Sequence, residues 1–290
     1  IWKLNKAWTY QLSSKYFSLS RIKICFLIKK SLWNIGCIIF NLSLKNRFTA
    51  VFHERKFLIL LCVIYLNGNA QTDSIAISGI VTDFNNNPVD SALVEVKLSN
   101  FQTAYKTFTD NKGYYNLNVL KGNYLALVSL KMSEYPAGSV LPKDEQKLEF
   151  WAWNVIAEKD INLNIKYDRL EIYGVNIFRI QGATPGYSIY CRPMSLTRAF
   201  SEPDKQLHFI DLCPPSEELD VKVEINGAPV NVNMKQKVAE YVADGICYGY
   251  LLHVDLPAEE TRESYDIFRI EMTDLKNGDK GEAVSFKRKE

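Results

Sequence analysis

Two tryptophans separated by one residue are the clearest candidates for ligand binding in this sequence. Trp151 and Trp153 lie in the apolar segment EFWAWN (149–154), which is typical of a β-strand. Alternate residues of a strand share a face, so the two indoles would lie side by side, about 7 Å apart along the strand. Flat apolar rings at this spacing could stack on successive sugar rings, which predicts a carbohydrate site. The alternative is that both side chains fill the contact between two domains.

Residues that could perform catalysis are present, but not at the spacings that known sites require. The two histidines after residue 71, His208 and His253, occur in the contexts HFID and HVDL, and neither matches a zinc peptidase motif such as HExxH. No G-x-S-x-G nucleophile motif occurs. The paired carboxylates at 217–218 and 259–260 lie in polar segments beside prolines, which is typical of solvated loops. We therefore predict no enzyme, no catalytic residues, no cofactor and no metal site.

Three cysteines follow residue 71, namely Cys191, Cys213 and Cys247. In an exported protein an odd number allows one disulfide and one free thiol. The alternative is that all three are small buried apolar residues. No CxxC motif occurs, so neither a zinc site nor thioredoxin-like redox chemistry is indicated. A nucleophilic Cys191 or Cys247 served by His253 is the remaining catalytic alternative.

A pattern typical of a secretory signal peptide occupies residues 53–70. A charged start (53–56) leads into ten apolar residues (57–66), and the small residues Gly68 and Ala70 precede a suitable cleavage position. We therefore predict cleavage near Ala70 and export of the following chain to the periplasm or the cell surface.

Residues 1–52 differ in charge from the rest of the sequence. The first 56 residues contain eleven of the 35 Lys and Arg but one of the 33 Asp and Glu. A nucleic-acid arm, a membrane anchor and upstream sequence translated in frame are the alternatives. An anchor is disfavoured because Lys29 and Lys30 interrupt the apolar run, and neither part approaches the roughly 20 residues that span a bilayer. We predict a basic leader that is mis-extended or removed, no nucleic-acid partner, and no transmembrane segment in the mature chain.

The remaining sequence predicts a mainly β fold. Short alternating runs of Val, Ile, Tyr, Phe and Leu are separated by Asn, Gly, Asp and Pro. A boundary near residue 167 divides it into two predicted β-sandwich domains, 71–166 and 167–290, the second immunoglobulin-like in outline. Asn226-Gly227 predicts a hairpin, and Pro229 restricts its second strand to a sheet edge. Lys121-Gly122 predicts another hairpin, and residues 234–245 predict a short helix that ends at Gly245.

The first predicted domain carries a series of residues whose order resembles a known family. The series is Gly79, Val81, Asp83, Pro88, Ala92, Val94, Val96, Thr109, Asp110, Gly113, Tyr115, Gly122 and Tyr124. It resembles the carboxypeptidase regulatory-like domain, a transthyretin-like β-sandwich common in exported bacterial proteins, over about residues 75–165. The resemblance implies a fold and an accessory role, and no active site, because that family's domain is itself non-catalytic.

Together these observations predict an exported, non-catalytic protein of two β-sandwiches that binds a cell-envelope protein or a glycan. One alternative is a carbohydrate-binding module that uses Trp151 and Trp153. Another is an accessory component of an outer-membrane transport system.

Overall fold

The computed structural model describes residues 73–182, 184–201, 211–242, 245–259 and 261–289. The predicted basic leader (1–52) and the predicted signal peptide (53–70) with its cleavage position lie outside these residues, and so does His208.

Within the described residues the chain forms sixteen strands, numbered in chain order. Those before residue 167 are β1 (Ser74–Thr82), β2 (Leu93–Lys97), β3 (Thr103–Phe108), β4 (Tyr114–Leu120), β5 (Gly122–Leu130), β6 (Phe150–Ala157), β7 (Ile161–Asn162) and β8 (Ile165–Lys166). Those after it are β9 (Leu170–Phe178), β10 (Tyr187–Ser195), β11 (Leu219–Ile225), β12 (Ala228–Val230), β13 (Val232–Val242), β14 (Gly245–Val254), β15 (Tyr265–Asp274) and β16 (Lys280–Arg288). A short helix, α1 (Leu196–Ser201), and a 3-10 turn (Ser216–Glu218) complete the described elements. The prediction of a mainly β fold is confirmed.

The strands form three sheets, of which the largest is central. This central sheet has eight strands in the order β12-β11-β15-β16-β6-β5-β2-β3. Strand β1 pairs with β4, β7 and β8 in a second sheet, and β13-β14-β10-β9 form a third. The central sheet contains strands from both sides of residue 167, because β16 pairs in parallel with β6 from Ala283–Trp151 to Ser285–Trp153. The halves of the chain before and after residue 167 therefore share the central sheet. The domain boundary near 167 stays a prediction.

The central sheet serves two hydrophobic cores, one on each face. Successive side chains of a strand point to opposite faces. In β6, Phe150 and Ala152 therefore pack in the core beneath β1 and β4, whereas Trp151 and Trp153 pack in the core beneath β9, β10 and β14. Apolar side chains buried on both faces explain why this segment is continuously apolar rather than alternating.

Two glycines of the family-like series lie where a larger residue would not fit. A Cβ on Gly79 would lie 2.1 Å from the carbonyl oxygen of Leu163, so β1 packs directly against the β7–β8 connection. Gly113 has a φ of 77°, and an added Cβ would lie 2.4 Å from the carbonyl oxygen of Val81. Both contacts need a residue without a side chain, because an L-residue is strained at such a φ or clashes with backbone.

The predicted hairpin at Asn226-Gly227 is confirmed. The two residues have φ values of 55° and 81°, as a type I′ turn requires, and they join β11 to β12 with Ile225 opposite Ala228. Strand β12, which contains Pro229, is the outermost strand of the central sheet.

The predicted helix over 234–245 is wrong. The segment belongs to the long strand β13, and Gly245 begins β14 instead of ending a helix. The two strands pair antiparallel from Met234–His253 to Val242–Gly245. Three apolar residues at helical spacing are a weak signal, since an isolated short helix is marginal while Val and Tyr favour a paired strand.

The hairpin predicted at Lys121-Gly122 is also wrong. Strand β4 pairs with β1, whereas β5 pairs with β2 and β6, so the chain crosses between sheets there. Strand β5 is largely buried and takes an interior position in the central sheet, where both of its edges are occupied.

Candidate functional site

The two tryptophans predicted to bind a ligand lie inside the molecule. Trp151 and Trp153 are each 6% exposed, and their rings stack on each other with centroids 4.7 Å apart and planes 11° apart. Tyr173 of β9 lies edge-on to both, at 5.2 and 5.1 Å. The indole faces are therefore covered by protein, which favours the packing alternative. Ligand binding by this pair stays a prediction.

The aromatic stack ends in a partly buried ion pair. The guanidinium of Arg192 lies over the ring of Tyr173, with 4.9 Å from Cζ to the ring centroid. Its Nε atom is 3.6 Å from a carboxylate oxygen of Glu240 on β13, and the hydroxyl of Tyr190 donates to the same oxygen. Arginine stacked on an aromatic face and paired with a carboxylate stabilises packing between β9, β10 and β13.

Beneath the stack lie two buried carboxyl groups. The indole Nε1 of Trp151 donates to Oε1 of Glu171 at 2.9 Å. Burial raises the pKa of Glu171 well above its ordinary value, and the nearby charge of Glu149 raises it further. Burial also raises the pKa of Glu149. A carboxyl with a raised pKa can act as a general acid, but both groups are buried, so no substrate reaches them.

The three cysteines are free thiols. Burial raises the pKa of Cys191 to about 12 and also raises the pKa of Cys247, which keeps both as thiols at neutral pH. The thiolate is the reactive form, so neither is an activated nucleophile. Cys247 and His253 lie six residues apart on β14, about 20 Å at the rise of a strand, so the structure does not bring this pair together.

A buried ionic network joins α1 to the turn between β15 and β16. Arg198 donates to both carboxylate oxygens of Asp274, from Nε at 2.6 Å and from Nη2 at 2.9 Å. The carboxylate of Asp279 accepts from Ser195 Oγ at 2.7 Å, from Thr197 N at 2.9 Å and Oγ1 at 2.8 Å, and from Arg169 Nε at 3.1 Å.

This network was not predicted from the sequence. Its members are separated by up to 110 residues, and the sequence signal was limited to two acids flanking the turn at residues 275–278. Both aspartates have protein partners, so the network stabilises the fold and offers no open position to a ligand.

The outer face of the β4-β1-β7 sheet has no charged side chain across its centre. Ser78 of β1 lies opposite Asn116 of β4 on one side and beside Asn162 of β7 on the other. Ile80 lies opposite Tyr114, whose side chain is 53% exposed. These residues form a neutral surface that also contains exposed aromatic area.

Within the described residues, no three His, Cys, Asp or Glu side chains are grouped so that they could hold a metal ion. No helix among the same residues is long and apolar enough to cross a membrane.

Comparison with known proteins adds little to this picture. No protein-family model and no curated protein matches the chain. Among solved structures, the major pilin subunit BcpA of Bacillus cereus is 17% identical, with a TM-score of 0.23 over 74% of this chain and 69% of the pilin. The full-length major pilin SpaD of Corynebacterium diphtheriae is 8% identical, with a TM-score of 0.20 over 73% and 64% of the two chains. Similarity at these scores is confined to a β-rich character, and no family, function or partner follows from it.

Proposed function

We propose that this protein is an exported, non-catalytic interaction protein that binds another cell-envelope protein through the outer face of the β4-β1-β7 sheet. The observation that carries the proposal is the absence of charge on this surface, which we call the neutral face. Its residues are Ser74, Ala76, Ser78, Ile80, Tyr114, Asn116, Asn118, Leu120 and Asn162.

The neutral face shares two features with the centres of protein interfaces, few charges and an exposed tyrosine. Charged residues make up 23% of this chain, yet none of these nine positions is charged. The centres of protein interfaces are depleted in charge and enriched in tyrosine. In antibody paratopes tyrosine supplies rigid contact area, while serine and asparagine supply adaptable hydrogen bonds.

Charged groups lie at the margins of the neutral face. Asp160 accepts from the backbone N–H of Ala76, and Lys166 lies beside Thr82 where β8 pairs with β1. A partner protein that binds at the centre of the neutral face would bury amide and hydroxyl groups, and these groups can form hydrogen bonds with it. No charged side chain of the face would lose its water. We therefore expect the contacting surface of the partner protein to be poor in charge as well.

Photo-crosslinking in the cells that make the protein tests this proposal. A photo-crosslinking amino acid at Asn116 is expected to form a discrete adduct with one envelope protein. The same amino acid at Gln236, an exposed uncharged residue of β13, provides the matched control. Asn116→Arg introduces a charge at the centre of the face and is expected to abolish binding of the purified partner, whereas Gln236→Arg leaves it unchanged. Equal crosslinking at both positions would reject the neutral face as the binding surface.

Export itself rests on the sequence pattern at 53–70. N-terminal sequencing of the protein recovered from the exported fraction is expected to begin at Gln71. A protein retained in the cytoplasm would contradict the proposal independently of the neutral face.

We also propose that residues 71–166 are a carboxypeptidase regulatory-like sandwich, with support from the close contacts at Gly79 and Gly113. A carbohydrate-binding module would need Trp151 and Trp153 to leave their stack, and a glycan array is the test of that alternative. A role beside an outer-membrane transporter would appear as a crosslink from Asn116 to such a transporter.

A further inference from the structure

A cavity of about 210 Å³ lies at one end of the second half, where β9 and β16 end and β10 and β15 begin. Four cationic side chains line it against one carboxylate, that of Asp266. The cations are Arg179, Lys287, Arg288 and Lys289. The loop after β14 contributes Leu256 and Pro257, so part of the wall is apolar.

One carboxylate cannot neutralise the four cations that line the cavity. Asp266 is buried and accepts from Tyr187 Oη at 3.1 Å and from Asn226 Nδ2 at 2.7 Å. Lys289 Nζ lies 3.4 Å from the same carboxylate. Asp266 therefore offsets about one cation, that of Lys289.

Arg179 is the cation without such a partner. No hydrogen bond or ion pair joins it to another described residue, whereas Arg288 donates to Glu158 at 2.7 Å. The guanidinium of Arg179 instead lies over the ring of Tyr187, with 5.7 Å between Cζ and the centroid. This cation–π contact holds the Arg179 side chain at the wall of the cavity.

From this arrangement we propose that the cavity binds a tetrahedral oxyanion, phosphate or sulfate. The planar fork of an arginine donates two parallel hydrogen bonds to such a group, and charge-assisted bonds of this kind are the strong ones. Cations that line a concave surface also concentrate an anion there. The proposal does not depend on the neutral face or on export, because it concerns other strands and a different ligand.

Calorimetric titration of the full chain tests the site with inorganic phosphate and inorganic sulfate at constant ionic strength, with chloride as the reference anion. We expect saturable binding of one anion per chain. Arg179→Ala is expected to weaken it by about tenfold or more, as the loss of a hydrogen bond to a charged group implies. Lys106→Ala removes an exposed cation of β3 and provides the matched control, for which we expect a change of less than about twofold.

The variant Arg179→Lys keeps the positive charge but removes the planar guanidinium, so it shows whether anion binding needs two parallel hydrogen bonds or the charge alone. Because Arg179 is exposed, both of its variants are expected to fold, and circular dichroism checks this. If Arg179→Lys binds the anion more tightly than Arg179→Ala but more weakly than the unchanged protein, the result supports bidentate recognition by the guanidinium. No saturation by phosphate or sulfate would overturn the proposal, as would equal weakening by Arg179→Ala and Lys106→Ala.

A second arm of the titration separates two sources of the anion. Glucose 6-phosphate carries the same group on a sugar and could also contact Leu256 and Pro257. Tighter binding than that of inorganic phosphate would identify a phosphorylated or sulfated glycan unit as the ligand class. Equal binding would identify the free ion.

Discussion

Replacing Arg198 by methionine is expected to be among the most damaging single changes in the second half of the protein. Asp274 is fully buried, and Arg198 supplies two of its hydrogen bonds, at 2.6 and 2.9 Å. Methionine fills a similar volume but leaves the carboxylate with Asn277 Nδ2 at 2.9 Å and the backbone N–H of Lys276 at 3.2 Å. An uncompensated buried charge of this kind costs about 3–5 kcal/mol.

The lower end of that range applies here, because two neutral donors to Asp274 remain. A loss of about 3 kcal/mol is a large part of the 5–15 kcal/mol that stabilises a typical protein. With a urea dependence of about 2 kcal/mol per molar, Arg198→Met should lower the unfolding midpoint of the full chain by roughly 1.5 M. Urea titration followed by tryptophan fluorescence measures this shift directly, since Trp151 and Trp153 are buried.

Two further variants decide whether the cause is the buried charge. Asp274→Asn in the Arg198→Met background removes that charge and is expected to restore stability in part, with a coupling energy of about 1–3 kcal/mol. Lys222→Met breaks an exposed ion pair with Glu271, whose charged atoms are 3.6 Å apart, and is expected to cost less than about 1 kcal/mol. If Arg198→Met costs no more than Lys222→Met, or if the double variant is less stable than either single one, the reasoning is refuted.

Three other predictions concern the interior. Glu171 has a folded-state pKa above its ordinary value of 4.5, so its contribution to stability is present below that pH and is lost as the pH rises through the raised pKa. Glu171→Gln should therefore raise the thermal midpoint at pH 8 and change it little near pH 4, and an equal effect at both would contradict this. Gly79→Ala should destabilise the protein by more than about 1 kcal/mol in urea titration, because the new methyl group would meet the Leu163 carbonyl oxygen at 2.1 Å; a neutral result would show that β1 can shift. Cys191 should react with a thiol reagent only upon unfolding, later than the half-buried Cys247, and early modification of Cys191 would exclude the packing described here.

The local signal at Asn226-Gly227 predicted the local geometry correctly, whereas those at Lys121-Gly122 and over 234–245 did not. Asn226-Gly227 specifies its own turn, because positive φ at both residues is accessible to this pair and to few others. Gly113, with a φ of 77°, lies in a tight turn in which its N–H donates to the carbonyl oxygen of Asp110, a position that favours glycine. Such signals depend on residues a few positions apart, which is the range over which a single sequence is informative.

Strand partners could not be predicted in the same way. The pairing of β6 with β16 joins residues more than 130 positions apart, and nothing near Trp151 or Ala283 indicates it. The segment 232–242 became a strand because it pairs along its length with β14, which begins at Gly245, an outcome decided by tertiary context. The Arg198–Asp274 pair is hidden for the same reason, since its members lie on separate elements.

The shared position of β6 explains the feature that first suggested a ligand site. A strand with one core on each face needs apolar side chains at most positions, with sizes matched to two different neighbours, and in β6 only Asn154 is exposed. Phe150 and Ala152 meet the first core, while Trp151 and Trp153 fill the wider space beneath β9 and Tyr173. The spacing of two residues along a strand therefore predicted correctly that the two indoles share a face. It did not predict which part of the protein covers that face. Aromatic residues at strand spacing indicate an open binding surface only where their own face of the strand meets solvent. One face of β4 does so, whereas in β6 every residue except Asn154 is buried.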